Sequence, residues 1–239
     1  MKEEFEREAM LLGEDAIQKL NNSYVALFGL GGVGSYTAEA LARSGVGKIL
    51  LVDNDVVSRS NINRQLCALQ STVGKYKVDV VAERLLDINP DLIVEKCYDF
   101  VLPENISSFD FQNFDYVIDA IDTVSAKIAI IQSANENNVP MISCMGTGNK
   151  LDPTALTVTD ITKTSVCPLA RVMRRELKKR GISHLKVVFS TEEPQEQKYV
   201  PENKNTAESK KIPPASIAFV PSVAGLIASG EAIKTLIAK

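Results

Sequence analysis

Apolar and polar positions alternate along the first part of the chain in blocks that predict strands and helices in turn. Apolar runs of strand length lie at residues 25–28, 49–52, 116–119 and 140–144, and a further short strand begins at residue 93. Helical spacing of apolar side chains is found at residues 35–42, 77–88 and 125–137. Because strands that alternate with helices build βαβ units, this pattern predicts an α/β fold with a mainly parallel sheet flanked by helices.

The second half of the chain is less regular and adds elements of its own. Residues 156–159 and 185–189 predict strands, and residues 168–180 predict a helix. The apolar stretch at 222–238 predicts a helix that lies in a core or a dimer interface, because proline and charged residues interrupt it too often for a membrane span. We therefore expect no membrane association. Residues 191–214 show no periodicity, which predicts a mobile loop.

A glycine-rich turn follows the first predicted strand. Gly29, Gly31 and Gly34 have the G-x-G-x-x-G spacing, with an additional glycine at Gly32. Glycines let the backbone approach a phosphate closely, and the N-terminus of the following helix offers free N–H groups and a positive dipole end. Asp53 ends the next apolar run about 20 positions later, where the acid that binds a ribose is expected. The stretch therefore predicts a nucleotide site of the Rossmann type.

The glycines alone leave the nucleotide open between a dinucleotide such as NAD and ATP. A polar cluster after Asp53 favours ATP, and its candidate ligands are Asp55, Asn61, Asn63, Arg64 and Gln65. Arg64 and Lys77 can neutralise a triphosphate. Asp122 follows a third apolar run and can hold Mg²⁺. The two asparagines can instead cap the following helix.

These motifs, taken in order, resemble the adenylating domain of the ThiF/MoeB and ubiquitin-activating-enzyme superfamily. The motifs that carry the resemblance are GxGGVG, D-x-D, SNxNRQ, G-x-x-K and the later aspartate, and the resemblance covers nearly the whole chain. Further stretches are similar to the subfamily of tRNA threonylcarbamoyladenosine dehydratases: residues 5–7, 145–153, 167–170, 188–192 and 219–221.

The resemblance implies an activity and a set of roles. The carboxyl group of threonylcarbamoyladenosine in tRNA would be adenylated with ATP and would then cyclise with loss of water. Arg64, Lys77 and Mg²⁺ at Asp122 would offset the phosphate charge. Arg7 would reach the ATP of the second subunit in a homodimer, although a surface arginine that pairs with a nearby glutamate is the alternative. A monovalent cation and a sulfur-transfer protein are further candidates that no residue of this chain identifies.

Three other functions compete with this hypothesis. An adenylating enzyme for a ubiquitin-like sulfur carrier uses the same nucleotide site, but many such relatives carry two C-x-x-C pairs for zinc. An NAD-dependent oxidoreductase explains the glycines and Asp53 but gives Arg64 and Lys77 no task. A non-catalytic ATP-binding scaffold is the fourth alternative.

Length and charge limit the organisation of the chain. A chain of 239 residues suits one large domain. We divide it into a helical arm (1–24), a nucleotide-binding half (25–150) and a half for substrate binding and dimerisation (151–239). The formal net charge is −3, so no overall basic field attracts nucleic acid. The first residues lack the pattern of a secretory signal, which predicts a cytoplasmic protein.

The cysteines bear on metal binding and reactivity. The four are scattered without a C-x-x-C pair, which predicts reduced thiols and no structural zinc. Cys167 lies at the start of a predicted helix, where the helix dipole can lower the pKa of a thiol. It is a candidate reactive thiol, and a buried, incidental thiol is the alternative.

One basic helix face stands out against the acidic whole. Arg171, Arg174, Arg175 and Lys178 recur at i, i+3, i+4 and i+7 and therefore share a face. An ordinary solvated face explains such a run. Because the rest of the chain lacks a dense basic face, these four residues are also the candidate tRNA contacts.

Overall fold

The computed structural model describes residues 2–199 and 213–238, and within them seven strands form one sheet. The strands are β1 Tyr24–Phe28, β2 Lys48–Val52, β3 Ile93–Cys97, β4 Tyr116–Asp119, β5 Met141–Cys144, β6 Leu156–Asp160 and β7 Lys186–Ser190. Their order is β3-β2-β1-β4-β5-β7-β6, and every neighbouring pair is parallel except β6 with β7. The carboxyl ends of the parallel strands therefore meet at one edge of the sheet.

Helices cover both faces of this sheet. They are α1 Glu6–Leu12, α2 Glu14–Asn21, α3 Gly34–Arg43, α4 Lys77–Ile88, α5 Val124–Glu136, α6 Pro168–Lys178 and α7 Phe219–Ala238. Side chains alternate along β1, so that Val25 and Leu27 pack with α3, α4 and α7, whereas Ala26 and Phe28 pack with α5. A strand with both faces covered is expected to be apolar throughout, as β1 is.

The predicted α/β fold with a mainly parallel sheet is confirmed. The predicted helix at 77–88 and the predicted strand at 116–119 have the observed bounds. The predicted elements at 25–28, 35–42, 49–52, 125–137 and 140–144 differ from the observed ones by at most one residue at either end. The second half contributes β6 and β7 to the same sheet. The division of the chain near residue 150 stays a prediction.

The N-terminal arm is not one continuous helix. It forms α1 and α2, which meet at Gly13. The φ angle of Gly13 is 85°, a value that L side chains rarely adopt, so the chain changes direction there at little steric cost. Periodicity could not locate this break because apolar residues continue on both sides of it.

The C-terminal helix begins at Phe219, three residues before the predicted start. By length and composition alone α7 could cross a membrane, but a core helix has the same length and composition. Half of that stretch is buried inside the protein, and most of its buried residues belong to the main hydrophobic core, as the prediction of a core helix requires. Glu231 and Lys234 are the two charged residues of α7 and pair with each other, and Glu231 also pairs with Lys186. α7 packs on α3 so closely that a Cβ atom at Gly225 would lie 2.3 Å from the carbonyl oxygen of Val33.

Two glycines of α7 give a matched test of this packing. Gly230→Ala adds a methyl group that meets no atom within 4 Å, and we expect it to raise the free energy of unfolding by roughly 0.5–1 kcal/mol because alanine favours a helix. Gly225→Ala has the same intrinsic benefit, but we expect a net loss of about 1–3 kcal/mol from overpacking against α3. Urea unfolding of both variants measures the difference, and equal stability would contradict the close packing of α7 on α3.

Candidate active site

A cavity of about 670 Å³ opens at the carboxyl edge of the sheet, a volume typical of small-molecule sites. Most of the predicted nucleotide ligands line it: Gly29, Gly31, Gly32, Asp53, Asp55, Asn61, Arg64, Gln65, Lys77 and Asp122. The ends of β1, β2, β4 and β5 supply its floor. The structure thus brings into one space residues that lie far apart in the sequence.

The glycine turn is shaped by close contacts of its backbone. Gly29 has a φ angle of 91°, and a Cβ atom there would lie 2.8 Å from the carbonyl oxygen of Ala120. A Cβ atom at Gly34 would lie 1.8 Å from the carbonyl oxygen of Gly29. Gly34 is outside the lining of the cavity, and its lack of a side chain lets α3 start directly behind the turn. Its role as an ATP ligand stays a prediction.

Asp53 fixes this turn from the neighbouring strand. Its Oδ2 accepts a hydrogen bond from the backbone N–H of Leu30 at 2.7 Å, and its Oδ1 accepts one from the N–H of Asp55 at 2.9 Å. The side chain is 8% exposed. Each carboxylate oxygen has a second acceptor position, so the hydroxyl groups of a ribose can also donate to Asp53.

Two acids lie next to the ammonium group of Lys77. Its Nζ lies 2.6 Å from Oδ2 of Asp55 and 3.7 Å from Oδ1 of Asp53, and its side chain is 5% exposed. Asp55 is mostly exposed and can turn away, whereas Asp53 is held by the glycine turn. An ammonium group has three N–H donors, so Lys77 can bond to Asp55 and still donate to a phosphate.

The SNINRQ segment combines local structure with site residues. The Oδ1 of Asn61 accepts a hydrogen bond from the N–H of Ser58, in a capping box of the short 3-10 helix Arg59–Asn61 that Asn61 itself ends and not of a helix that follows it. Asn63 lies outside the cavity lining and donates from Nδ2 to the carbonyl oxygen of Ser216 at 3.0 Å. Its role as an ATP ligand stays a prediction, because the structure shows it joining two loops.

Arg64 and Gln65 line the cavity and have hydrogen-bonding groups without a partner among the described residues. The Nη1 of Arg64 donates to the carbonyl oxygen of Ser60 and to Oδ1 of Asn63, at 2.9 and 2.8 Å. A guanidinium has five N–H donors, so others are available to a ligand. The Oε1 of Gln65 is buried and has no partner within the described chain, and a ligand with a donor can satisfy it.

Asp122 is exposed on the rim between β4 and α5 and lines the cavity. In residues 2–199 and 213–238, no group of three or more acidic, histidine or cysteine side chains is placed to hold a metal ion. Mg²⁺ that binds with a nucleotide needs only one or two carboxylates in addition to phosphate oxygens. A single carboxylate at the rim fits that mode.

The second half of the chain closes the cavity from the other side. The wall there consists of Leu169, Pro213, Pro214, Ser216 and Pro221 from the second half, together with residues 145–148 just before it. Asn149, with a φ angle of 59°, joins these segments. Its Oδ1 accepts from the N–H of Ala215 at 2.7 Å, and its carbonyl oxygen accepts from the N–H of Gln195 at 2.7 Å. The ends of the predicted loop at 191–214 are thus fixed, and its residues 200–212 lie outside the described part.

Two residues that the sequence analysis did not predict as site residues lie under the cavity floor or in its wall. Lys127 is fully buried and forms an ion pair with Asp119 at 2.9 Å. Pro221 contacts the turn closely, since a Cβ atom at Gly32 would lie 3.1 Å from its Cβ. A lysine in a predicted helix carries no signal of burial, and a proline near a helix start is common.

Arg7 and the basic helix lie apart from the nucleotide ligands. Arg7 is exposed on α1 and is outside the lining of the cavity of its own chain, so its contact with a partner's ATP stays a prediction. Arg174 is half-buried and donates to the carbonyl oxygen of Thr164 at 2.8 Å. Arg171 and Lys178 are exposed.

An acid within α6 weakens the basic face further. Glu176 accepts hydrogen bonds from Lys179, Arg180 and Arg175, which lower the pKa of its carboxyl group to about 2. Arg175 is therefore shared with an acid that stays ionised. Of the four predicted tRNA contacts, Arg171 and Lys178 present the more available charges.

Cys167 is buried at the start of α6, with 2% of its surface exposed. Its sulfur accepts a hydrogen bond from the N–H of Ala170 at 3.5 Å and so caps the helix. This geometry favours the structural alternative for Cys167. Its reactivity stays a prediction that thiol chemistry can test.

We expect native labelling with a disulfide reagent at pH 8 to reach Cys97 first, because it is the cysteine with partial exposure. Burial raises the pKa of Cys67 to about 11 and that of Cys144 to about 12, so both remain protonated thiols at this pH and react poorly. Absorbance measures the rate of labelling, and peptide mass identifies the labelled cysteines. Labelling of Cys167 in the folded protein at the rate of Cys97 would instead support a reactive thiol.

Comparisons with known proteins agree with this geometry. The ThiF family matches residues 5–239. The tRNA threonylcarbamoyladenosine dehydratase of Bacillus subtilis is 45% identical over 243 residues, which cover 99% of this chain and 96% of that protein. Among solved structures, the Escherichia coli tRNA N6-threonylcarbamoyladenosine dehydratase in complex with ATP has a TM-score of 0.88 and 37% identity, covering 98% of this chain and 94% of its own. The same enzyme in complex with AMP has a TM-score of 0.86 and 37% identity, with coverages of 96% and 92%. Because the family match extends over nearly all residues, the chain belongs to the ThiF family.

Proposed function

We propose that this protein is an ATP-dependent tRNA threonylcarbamoyladenosine dehydratase. It activates the carboxyl group of threonylcarbamoyladenosine in tRNA as an adenylate, and the activated group then cyclises. The observation that carries the proposal is the cavity in which the glycine turn, Asp53, Arg64 and Asp122 converge. The full-length similarity to dehydratases, one of them solved with ATP, supports the same substrate class.

The reaction needs a leaving group, because a carboxylate is a poor electrophile. A carboxylate oxygen attacks the α-phosphorus of ATP, the bond to the β-phosphate oxygen breaks, and pyrophosphate leaves. A nitrogen of the same threonylcarbamoyl group then attacks the acyl carbon and loses its proton, and the bond to AMP breaks. The oxygen removed from the substrate leaves with AMP, so the net change in the nucleoside is loss of water.

The side chains on the cavity wall supply fixed charge and orientation. Asp53 accepts from the ribose, and Arg64 directs its free N–H donors at the phosphates, where negative charge develops. Lys77 adds a second cation through the donors that Asp55 leaves free. Asp122 would hold Mg²⁺, which supplies further positive charge beside the phosphates. A covalent role for Cys167 is not needed, because the attacking nitrogen belongs to the substrate.

Assembly and surroundings belong to the same proposal. A homodimer would allow Arg7 of one subunit to approach the phosphates bound by the other. The free cysteines fit a reducing compartment, which supports a cytoplasmic location. A monovalent cation and a sulfur-transfer partner remain predictions for which the described residues offer no dedicated contact.

Pyrophosphate exchange tests the proposed function directly. We expect exchange of labelled pyrophosphate into ATP to depend on tRNA that carries threonylcarbamoyladenosine, and mass spectrometry of its nucleosides to show the cyclic product. Exchange that depends on a protein with a Gly-Gly tail would favour the carrier-protein function. Binding of NADH in preference to ATP would favour the oxidoreductase.

Substitutions at Asp53 and Arg64 should separate effects on ATP binding from effects on turnover. Asp53→Ala removes the ribose acceptor and the tie to Leu30, and we expect the Kd for ATP to rise roughly tenfold, about 1.4 kcal/mol. Arg64→Ala should change that Kd little and lower kcat on the order of 100-fold, because the guanidinium acts on developing charge. Calorimetry and single-turnover kinetics measure the two effects.

Asp91→Ala is the control for this pair, since Asp91 is exposed and binds Lys2 away from the cavity. It should leave both constants at the wild-type values. Wild-type kcat and Kd in Arg64→Ala would make that arginine a loop-stabilising residue and remove the main support for phosphate chemistry at this position.

The two residues of the basic face that are exposed and unpaired within the described ranges, Arg171 and Lys178, should contact tRNA. Arg171→Glu with Lys178→Glu should raise the KM for tRNA by roughly tenfold or more, because each charged hydrogen bond is worth about 1.5 kcal/mol. The slope that relates binding to salt concentration should fall by about one for each phosphate that is no longer neutralised. The KM for ATP should stay unchanged, since neither residue lines the cavity.

A second double reversal controls for net charge. Lys186→Glu with Lys234→Glu changes the charge equally, and both side chains are exposed beside Glu231. Lys234 lies about 20 Å along α7 from Pro221 in the cavity wall. Equal losses of tRNA affinity in the two double variants would mean that α6 acts only through overall charge.

A further inference from the structure

Lys127 is a charged side chain buried under the floor of the cavity. It lies in the first turn of α5, and both it and Asp119 at the end of β4 are 0% exposed. Its Nζ contacts Oδ2 of Asp119 at 2.9 Å, the carbonyl oxygen of Ile121 at 2.9 Å and that of Cys144 at 2.8 Å. An ammonium group has three donors, so all of them are used within the protein.

Asp119 is equally well bonded. Its Oδ2 accepts from the hydroxyl of Ser143 at 2.5 Å, and its Oδ1 accepts from the N–H of Ile121 at 3.2 Å. Together the ion pair holds both the N–H and the C=O of Ile121. It also joins β4 to β5, because Ser143 and Cys144 are the last two residues of β5.

Stability alone does not account for such a pair. Removing two charges from water costs several kcal/mol for each ion, and well-packed apolar side chains of similar volume are often as stable or more so. What an apolar pair cannot do is fix the direction of three peptide groups. The function of the ion pair therefore depends on the two segments that follow these peptide groups in the chain.

Both segments are cavity walls. Ile121 is followed by Asp122, and Cys144 is followed by Met145 and Gly146, and each of these residues lines the cavity. The ammonium group of Lys127 thus holds the two loops at a common point below the space where ATP is proposed to bind. A small rotation of either peptide would displace the residue after it.

We infer that Lys127 is a positioning residue that sets the Asp122 carboxylate and the 145–148 wall relative to the glycine turn, a role that rests on the proposed function of the cavity. Lys127 touches no reacting atom, since it is enclosed by protein on all sides. It acts through the carbonyl groups of Ile121 and Cys144. Its removal should therefore impair ATP binding and turnover in a protein that still folds.

The test replaces the charge pair while keeping the other contacts of the acid. Asp119→Asn combined with Lys127→Met removes both charges. The amide oxygen of the new asparagine can still accept from the N–H of Ile121, and its amide nitrogen can donate to the hydroxyl of Ser143. We expect cooperative thermal unfolding to persist. Calorimetry with ATP and Mg²⁺ should give a Kd raised roughly tenfold, and kcat should fall about 100-fold, as expected for displaced site residues.

A surface pair of the same kind is the matched control. Lys96 and Asp79 lie 2.8 Å apart with nearly half of each side chain exposed, and neither residue lines the cavity. Asp79→Asn with Lys96→Met should leave the Kd for ATP and kcat unchanged. If the buried double variant does not fold, Lys127→Arg replaces it, because its charge is kept and its longer, planar head cannot reproduce the three contacts.

The outcomes separate this inference from the proposed function. Wild-type Kd and kcat in a folded Lys127 variant would overturn the positioning role and leave only a contribution to stability. Raised Kd and lowered kcat, with the surface control unchanged, would support it. If wild-type protein binds ATP but forms no AMP with modified tRNA, the proposed substrate is wrong, and the ATP titrations still decide the role of Lys127.

Discussion

The geometry of the site depends on the buried carboxylate of Asp53. One oxygen holds the glycine turn through Leu30 at 2.7 Å, and the other holds Asp55 at 2.9 Å and lies 3.7 Å from Lys77. Three elements, β1, β2 and α4, are therefore fixed around a single group. Because little of it is exposed, solvent screens these contacts only weakly. A ribose bound at Asp53 would be placed relative to the turn and to the lysine at the same time.

A second acid–lysine pair, Asp119 with Lys127, lies on the other side of β1 at the end of β4. The two pairs differ in exposure and therefore in function. Lys77 is at the cavity surface and can donate to a phosphate, whereas Lys127 is enclosed and bonded to three oxygens. One lysine is available to a ligand, and the other shapes the walls that receive it. Arg64 has N–H donors left over and needs no rearrangement.

The second half of the chain completes the site instead of forming a separate one. It extends the sheet through β7 and β6, and α7 brings Pro221 against the glycine turn. Asn149 connects the wall at 145–148 to both ends of the loop that lies partly outside the described residues. The face of α6 carries less free charge than its composition indicates, because Glu176 and Thr164 engage Arg175 and Arg174. The RNA contact that we propose there consequently involves only Arg171 and Lys178.

Sequence by itself determined what depends on local spacing. Apolar runs of strand length, alternating with apolar positions at helical spacing, predicted the order of strands and helices, and the glycine spacing with Asp53 predicted the nucleotide site, because both are properties of short segments. Tertiary structure decided what depends on neighbours distant in the chain. The contact of Asn63 with Ser216, the approach of Pro221 to the glycine turn and the burial of Lys127 each follow from packing that no local pattern records. From sequence alone, a lysine is predicted to lie on the surface. Lys127 can be buried because β4, β5 and α5 converge and place three oxygen atoms around its ammonium group.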